Sequence, residues 1–163
     1  MPKRSSPPRR ARASGPKTAR QRKLNPKCRG ELAELAFAHK AAALGFGIAK
    51  PYGDSERFDF VLISRDWPEG DKLWRVQIKS STALHRGFYN VKTNRGTRDG
   101  VVPYLASEVD FVVVYIVPDD VFFIFPIRET PLFVRIRPKR SHRAEQYKAY
   151  REAWHLLRAP SSS

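Results

Sequence analysis

Residues 111–127 read Phe-Val-Val-Val-Tyr-Ile-Val, then Pro-Asp-Asp, then Val-Phe-Phe-Ile-Phe-Pro-Ile. Nothing else in the chain constrains its fold as tightly. Both runs are of strand length and rich in β-branched and aromatic residues. They read as strands covered on both faces, turned back by Pro118-Asp119-Asp120. Residues 57–64 (Arg-Phe-Asp-Phe-Val-Leu-Ile-Ser) form a further strand of this doubly buried kind. Residues 73–80 alternate cleanly as its hairpin partner across the loop at 66–71. Cover is offered by residues 30–44, rich in Ala, Leu and Glu and stopped by Gly45 and Gly47, and by an amphipathic stretch at 143–157. A short strand at 48–52, a polar strand at 88–93 and a short helix at 104–109 complete an α-β-β-β-(β)-α-β-β-α order. The expectation is one α/β domain with a mixed central sheet flanked by helices.

The chain of 163 residues carries +15 at neutral pH, but the excess is not evenly spread. Residues 1–29 hold 11 Lys/Arg and no acid; residues 30–127 hold 11 basic and 13 acidic side chains; residues 128–163 hold 9 basic and 3 acidic. The first segment, Pro-, Ser- and Arg-rich with almost no bulky apolar residue, has the composition of a disordered arm able to bind phosphates by counterion release. The reading divides the chain into a basic arm over 1–28, a folded domain over 29–158 and a disordered tail over 159–163. One cysteine, Cys28, excludes an internal disulfide. No apolar run approaches the roughly 18 residues of a membrane span, and no apolar stretch follows the basic N-terminus as a secretory signal would require. A cytoplasmic protein with a polyanionic partner is expected.

The residues that carry chemistry are Glu34, Asp59, Gln77 and Lys79. Gln77 and Lys79 lie two apart on one strand and so leave the same face, with Trp74, Val76 and Ile78 on the other. Asp59 begins the neighbouring strand. Glu34 is flanked on the helical wheel by Ala38 and Ala41, which leave room beside the sheet; Glu31, about 60° away, is its rival. Two carboxylates, an amide oxygen and an ammonium suit a hard divalent cation at a phosphodiester. Taken singly, Gln-x-Lys is an ordinary solvated strand face and Glu34 an ordinary helix residue. Asp59 between two phenylalanines is harder to dismiss, because an unpaired buried carboxylate is costly.

Gly30-x-x-x-Glu34, then Phe58-Asp59-Phe60-Val61-Leu62, then Val76-Gln77-Ile78-Lys79-Ser80 resembles the PD-(D/E)XK nuclease superfamily. The likeness is to the branch of group I intron homing endonucleases and archaeal Holliday-junction resolvases, and it extends over about residues 30–130. It implies a restriction-endonuclease-like core, Mg²⁺ dependence with Mn²⁺ as substitute, and DNA as substrate. It also implies Asp59, Glu34 and Gln77 as metal ligands and Lys79 as the catalytic lysine. Gln77 stands where most members have an acid. Members often act as dimers or tetramers, so a homo-oligomer is implied too. Arg86, Tyr89, Lys92, Arg95 and Arg98, with Arg140 of a second basic cluster, are the candidates for nucleic-acid contact. The rival class is a nucleic-acid-binding protein of the same fold that does not cleave.

Overall fold

The computed structural model describes residues 25–53, 55–97, 100–138 and 146–160. Helix α1 (Pro26–Ala43) opens the described chain. Asn25 caps it, its side-chain oxygen accepting from the Cys28 amide at 2.8 Å, and Pro26 takes the first helical position, where its missing N–H costs nothing. The helix therefore starts four residues before the expected Gly30. Ala33, Phe37 and Ala41, spaced by four, form its buried stripe. Gly45, with φ of 85°, ends it.

Ten strands follow among the described residues: β1 (Gly47–Ala49), β2 (Phe60–Ser64), β3 (Lys72–Ser81), β4 (Leu84–His85), β5 (Phe88–Lys92), β6 (Arg95–Thr97), β7 (Gly100–Val102), β8 (Phe111–Ile116), β9 (Val121–Pro126) and β10 (Phe133–Ile136). The central sheet has the order β1-β2-β3-β8-β9; β3 and β8 run parallel and the other pairs antiparallel. This is the mixed central sheet expected from the sequence. A smaller sheet, β10-β5-β4, and a β6-β7 hairpin fill the long connection from β3 to β8 and the stretch after β9.

Alternation along β8 and β9 divides the core. Val113, Tyr115, Phe122 and Ile124 pack with Phe37 and Phe60 on the α1 side. Val114, Ile116, Phe123 and Phe125 pack with Tyr89, Val91, Val134 and Ile136 of the small sheet on the other side. Each of β8's six residues is buried, so the strand is covered on both faces as its composition requires.

Two expected helices are absent. Residues 104–109 make a single turn, closed by the Glu108 and Val109 amides on the Leu105 carbonyl. Of the helix expected over 143–157, residues 143–145 lie outside the described residues; the remainder forms two short 3₁₀ turns, Lys148–Tyr150 and Trp154–Leu157. Between them Glu152 adopts φ of 48° and pairs with the edge of β9. Its amide donates to the Phe122 carbonyl and its carboxylate accepts from the Phe122 amide, both at 2.8 Å. The helix-like spacing has another cause. The segment wraps around the β9 edge, placing Tyr147 and Tyr150 against Phe125 on one face of the sheet and Trp154 and Leu157 in the core on the other.

Candidate active site

At Val76 β3 loses its antiparallel partner, because β2 begins at Phe60. Asp59, just before β2, takes over the open edge. Its amide donates to the Val76 carbonyl at 2.9 Å, and its Oδ2 accepts from the Ile78 amide and from Gln77 Nε2, each at 2.7 Å. Gln77 is one of three buried polar residues among those described, and its amide nitrogen also donates to the Ile78 carbonyl at 3.2 Å. The local sequence explains this arrangement. Phe60, Leu62 and Val76 anchor the two strands in the core, and Asp59 then sits where the ladder has a free strand N–H to give away.

Burial is the main force on the Asp59 carboxyl and raises its pKa. The nearby charge of Glu34 raises it further, while the Ile78 amide, Lys79 and Gln77 pull it down without overcoming the rise. Of the residues expected from the sequence, Gln77 touches the Asp59 carboxylate directly, while Glu34 and Lys79 act on it only through their charge. The Lys79 ammonium rests 5.4 Å from the centre of the Tyr104 ring. Glu34 is held by Lys50, whose ammonium lies 2.7 Å from Glu34 Oε2 and 5.7 Å from the Phe60 ring. No motif or spacing in the sequence marked Lys50.

The donor set fits a hard divalent cation. Both hydrogen bonds to Asp59 fall on Oδ2, leaving Oδ1 for a ligand; the Gln77 nitrogen is committed, leaving its oxygen; and Glu34, itself half-buried, is held among the described residues only by the exposed ammonium of Lys50, which a cation can displace. The set is all oxygen but contains only two carboxylates. Among the described residues no three His, Cys, Asp or Glu side chains gather at one point.

A second missed element braces the site. Arg75, the residue before Val76, donates through its amide and guanidinium to both oxygens of Asp110 at 2.8–3.0 Å, and reaches the carbonyls of Ala106 and Ser107. Burial raises the Asp110 pKa, but the Arg75 contacts and the charge of Lys72 outweigh it and leave it lowered. This pair pins the 104–109 turn, and with it Tyr104, beside Lys79. An Arg on the outward face of a strand and an Asp at a strand start gave no sign in the sequence that they would meet.

The candidates for nucleic-acid contact separate. Arg86 is exposed and, with Gly87, forms a two-residue turn between β4 and β5 in which both residues have positive φ. Lys92 is exposed on the outer face of β5. Tyr89 is 4% exposed and packs inside the second core, so its ring cannot stack on a base. Arg95 is engaged by Glu108 at 3.3 Å. Arg98 and Arg140 lie outside the described residues. Arg135 and Arg137, of the same basic cluster as Arg140, flank the Phe88 ring at 4.3 and 4.7 Å on the same outer face as Lys92.

A family model described as PD-(D/E)XK endonuclease matches residues 24–157. Among solved structures the chain is similar to a bacterial homing endonuclease, I-Ssp6803I, with 31% sequence identity and a TM-score of 0.66 over 82% of this chain and 93% of that one. No curated protein matches the sequence. Among the described residues no helix is long and apolar enough to cross a membrane.

Proposed function

Because the chain belongs to the PD-(D/E)XK endonuclease family, we propose that it is a divalent-metal-dependent endonuclease that hydrolyses DNA phosphodiester bonds with Glu34, Asp59, Gln77 and Lys79. The observation that carries this is the Asp59 carboxylate bonded to Gln77 and the Ile78 amide at the open edge of β3, within the fields of Glu34 and Lys79 and with one oxygen left unbonded. Similarity to a homing endonuclease supports DNA as the substrate. Asp59, Glu34 and the Gln77 oxygen would hold Mg²⁺, or Mn²⁺ in its place. When bound, such a cation polarises a phosphoryl oxygen and lowers the pKa of a water beside it.

The chain's own residues supply the rest. The Ile78 amide and the Gln77 nitrogen fix one Asp59 oxygen and so aim the other outward. Lys79, braced on Tyr104, orients the attacking water and offsets the charge that develops on the phosphoryl oxygens. Arg86, Lys92, Arg135 and Arg137 offer exposed or half-buried charge to the DNA backbone, and the basic segment over 1–28 adds a sequence-independent hold.

The composition of the donor set favours a second reading, a DNA-binding protein of this fold that does not cleave, since an amide occupies one ligand position. Supercoiled plasmid incubated with Mg²⁺ or Mn²⁺ separates the two. Nicking that disappears in EDTA, and in both Asp59→Ala and Lys79→Ala, is the expected result. Nicking that survives either substitution would refute the site, and its absence with both metals would select the binder.

A further inference from the structure

Between the first turn of α1 and the end of β3 lies a cleft of about 260 Å³, bordered by Arg29, Gly30, Lys79, Ser80 and Thr82. It adjoins the carboxylate cluster through Lys79 and through Ile78, whose amide holds Asp59. Gly30 precedes Glu34 by one helical turn, about 6 Å along the axis, and Ser80 and Thr82 lie beyond Gln77 on the chain.

Three observations give the cleft a chemistry. The Arg29 Nε is buried with no hydrogen-bond partner, and the guanidinium forms no ion pair among the described residues. A cation so placed gains strongly from an anion that restores its hydrogen bonds. Ser80 and Thr82, both half-buried, add hydroxyl donors, and no carboxylate borders the cleft. At Gly30 a Cβ would meet nothing within 4 Å, so the missing side chain leaves the space beside the helix open. The helix end itself is not the binding device: the Cys28 amide is committed to the Asn25 side chain, the Arg29 amide to the Asn25 carbonyl, and Pro26 has no N–H. The charge comes from side chains, and the volume is below that of a typical small-molecule pocket, which suits one group of a longer ligand.

We propose that this cleft seats an uncleaved backbone phosphate of the cut DNA strand, next to the scissile one, with Arg29 as its charge partner. The assignment rests on the DNA-cleaving function above and adds a positioning contact to it. A phosphate held here, one turn from Glu34, fixes the register in which its neighbour meets Asp59 and Lys79.

The test uses the full chain and a short DNA duplex in EDTA, so that cleavage plays no part. Affinity is measured across a salt series for wild type, Arg29→Gln, Gly30→Val and a matched charge removal, Lys72→Gln. Lys72 lies seven residues before Lys79 on β3, about 23 Å away. Arg29→Gln should weaken binding about tenfold and flatten the log–log salt slope by about 1, as loss of one phosphate contact requires. Gly30→Val should weaken binding comparably while its Tm stays level or rises, and Lys72→Gln should change affinity less than about twofold. The proposal is overturned if Arg29→Gln matches Lys72→Gln in affinity and slope, or if a folded Gly30→Val binds like wild type. Should Gly30→Val fail to fold, Arg29→Gln alone decides. If that result comes while wild type nicks plasmid with Mg²⁺, only the cleft assignment fails; a wild type that neither binds nor nicks removes both.

Discussion

Replacing Gln77 by Glu puts a second carboxylate against Asp59, and its cost can be worked from the contact it replaces. Gln77 Nε2 donates to Asp59 Oδ2 at 2.7 Å. In the variant that attraction becomes a repulsion between like charges. After relaxation to about 4 Å, and at the effective dielectric constant of about 20 that suits protein sites, the repulsion is about 4 kcal/mol. Protonation sets a ceiling: holding a carboxyl of ordinary pKa neutral at pH 7 also costs about 4 kcal/mol. Loss of the hydrogen bond adds to this and side-chain movement subtracts, so a net destabilisation of about 3 kcal/mol is expected for the metal-free protein. For a domain of this size that lowers Tm by about 10 °C. A divalent cation reverses the sign, because the added charge becomes an added ligand. The assay is thermal unfolding of wild type and Gln77→Glu in EDTA and in a Mg²⁺ series. The variant should melt lower in EDTA and gain more from Mg²⁺ than wild type, in proportion to RT ln(1 + [Mg²⁺]/Kd). A variant that melts with wild type in EDTA, or gains no more from Mg²⁺, would refute the claim that these side chains share a cation.

Further outcomes follow from the same geometry. Asp59 has a folded-state pKa above the ordinary 3.8, chiefly through burial. Its contribution to stability is therefore present below that value and is lost as pH rises through the folded pKa. Asp59→Asn escapes this loss: in EDTA it should melt above wild type at pH 7, converge with it below about pH 4, and show no nicking. Lys50→Gln frees the half-buried Glu34 from its exposed partner and should lower the Mg²⁺ concentration for half-maximal thermal shift by about fivefold, the upper range such pairs are worth; an unchanged midpoint would separate Glu34 from the metal. Arg75→Ala strands Asp110 and releases the 104–109 turn, costing about 2–3 kcal/mol in urea unfolding.

The strands that carry the candidate site were more legible in the sequence than the elements around them. β2, β3, β8 and β9 emerged within a few residues of their true ends because each carries an unbroken apolar or alternating run, and the pairing of β2 with β3 as a hairpin placed Asp59 on the strand beside Gln77. The helix start was also there to read: Asn25-Pro26 is a cap followed by the residue best suited to the first helical position, but the surrounding basic, Pro-rich composition drew it into the arm. The 143–157 segment misled for a physical reason. Aromatic residues spaced three and four apart indicate a helix only if they share one face, and here the chain divides them between two faces of a sheet by turning at Glu152. Tyr89 misled in a related way, since a polar strand in a basic stretch gives no hint that its alternate residues face a second core. The partnerships of Arg75 with Asp110 and of Lys50 with Glu34 join residues 35 and 16 apart, and no local pattern encodes them.

The central claim is that Asp59, Glu34 and Gln77 hold one divalent cation beside Lys79. Anomalous diffraction from crystals of the full chain grown with Mn²⁺ and a DNA duplex tests it most directly. The expected result is a peak about 2.1–2.2 Å from Asp59 Oδ1, a little beyond the Mg²⁺–oxygen distance, with Glu34 turned from Lys50 to face it. A peak elsewhere, or none in a protein that nicks DNA with Mn²⁺, would contradict it.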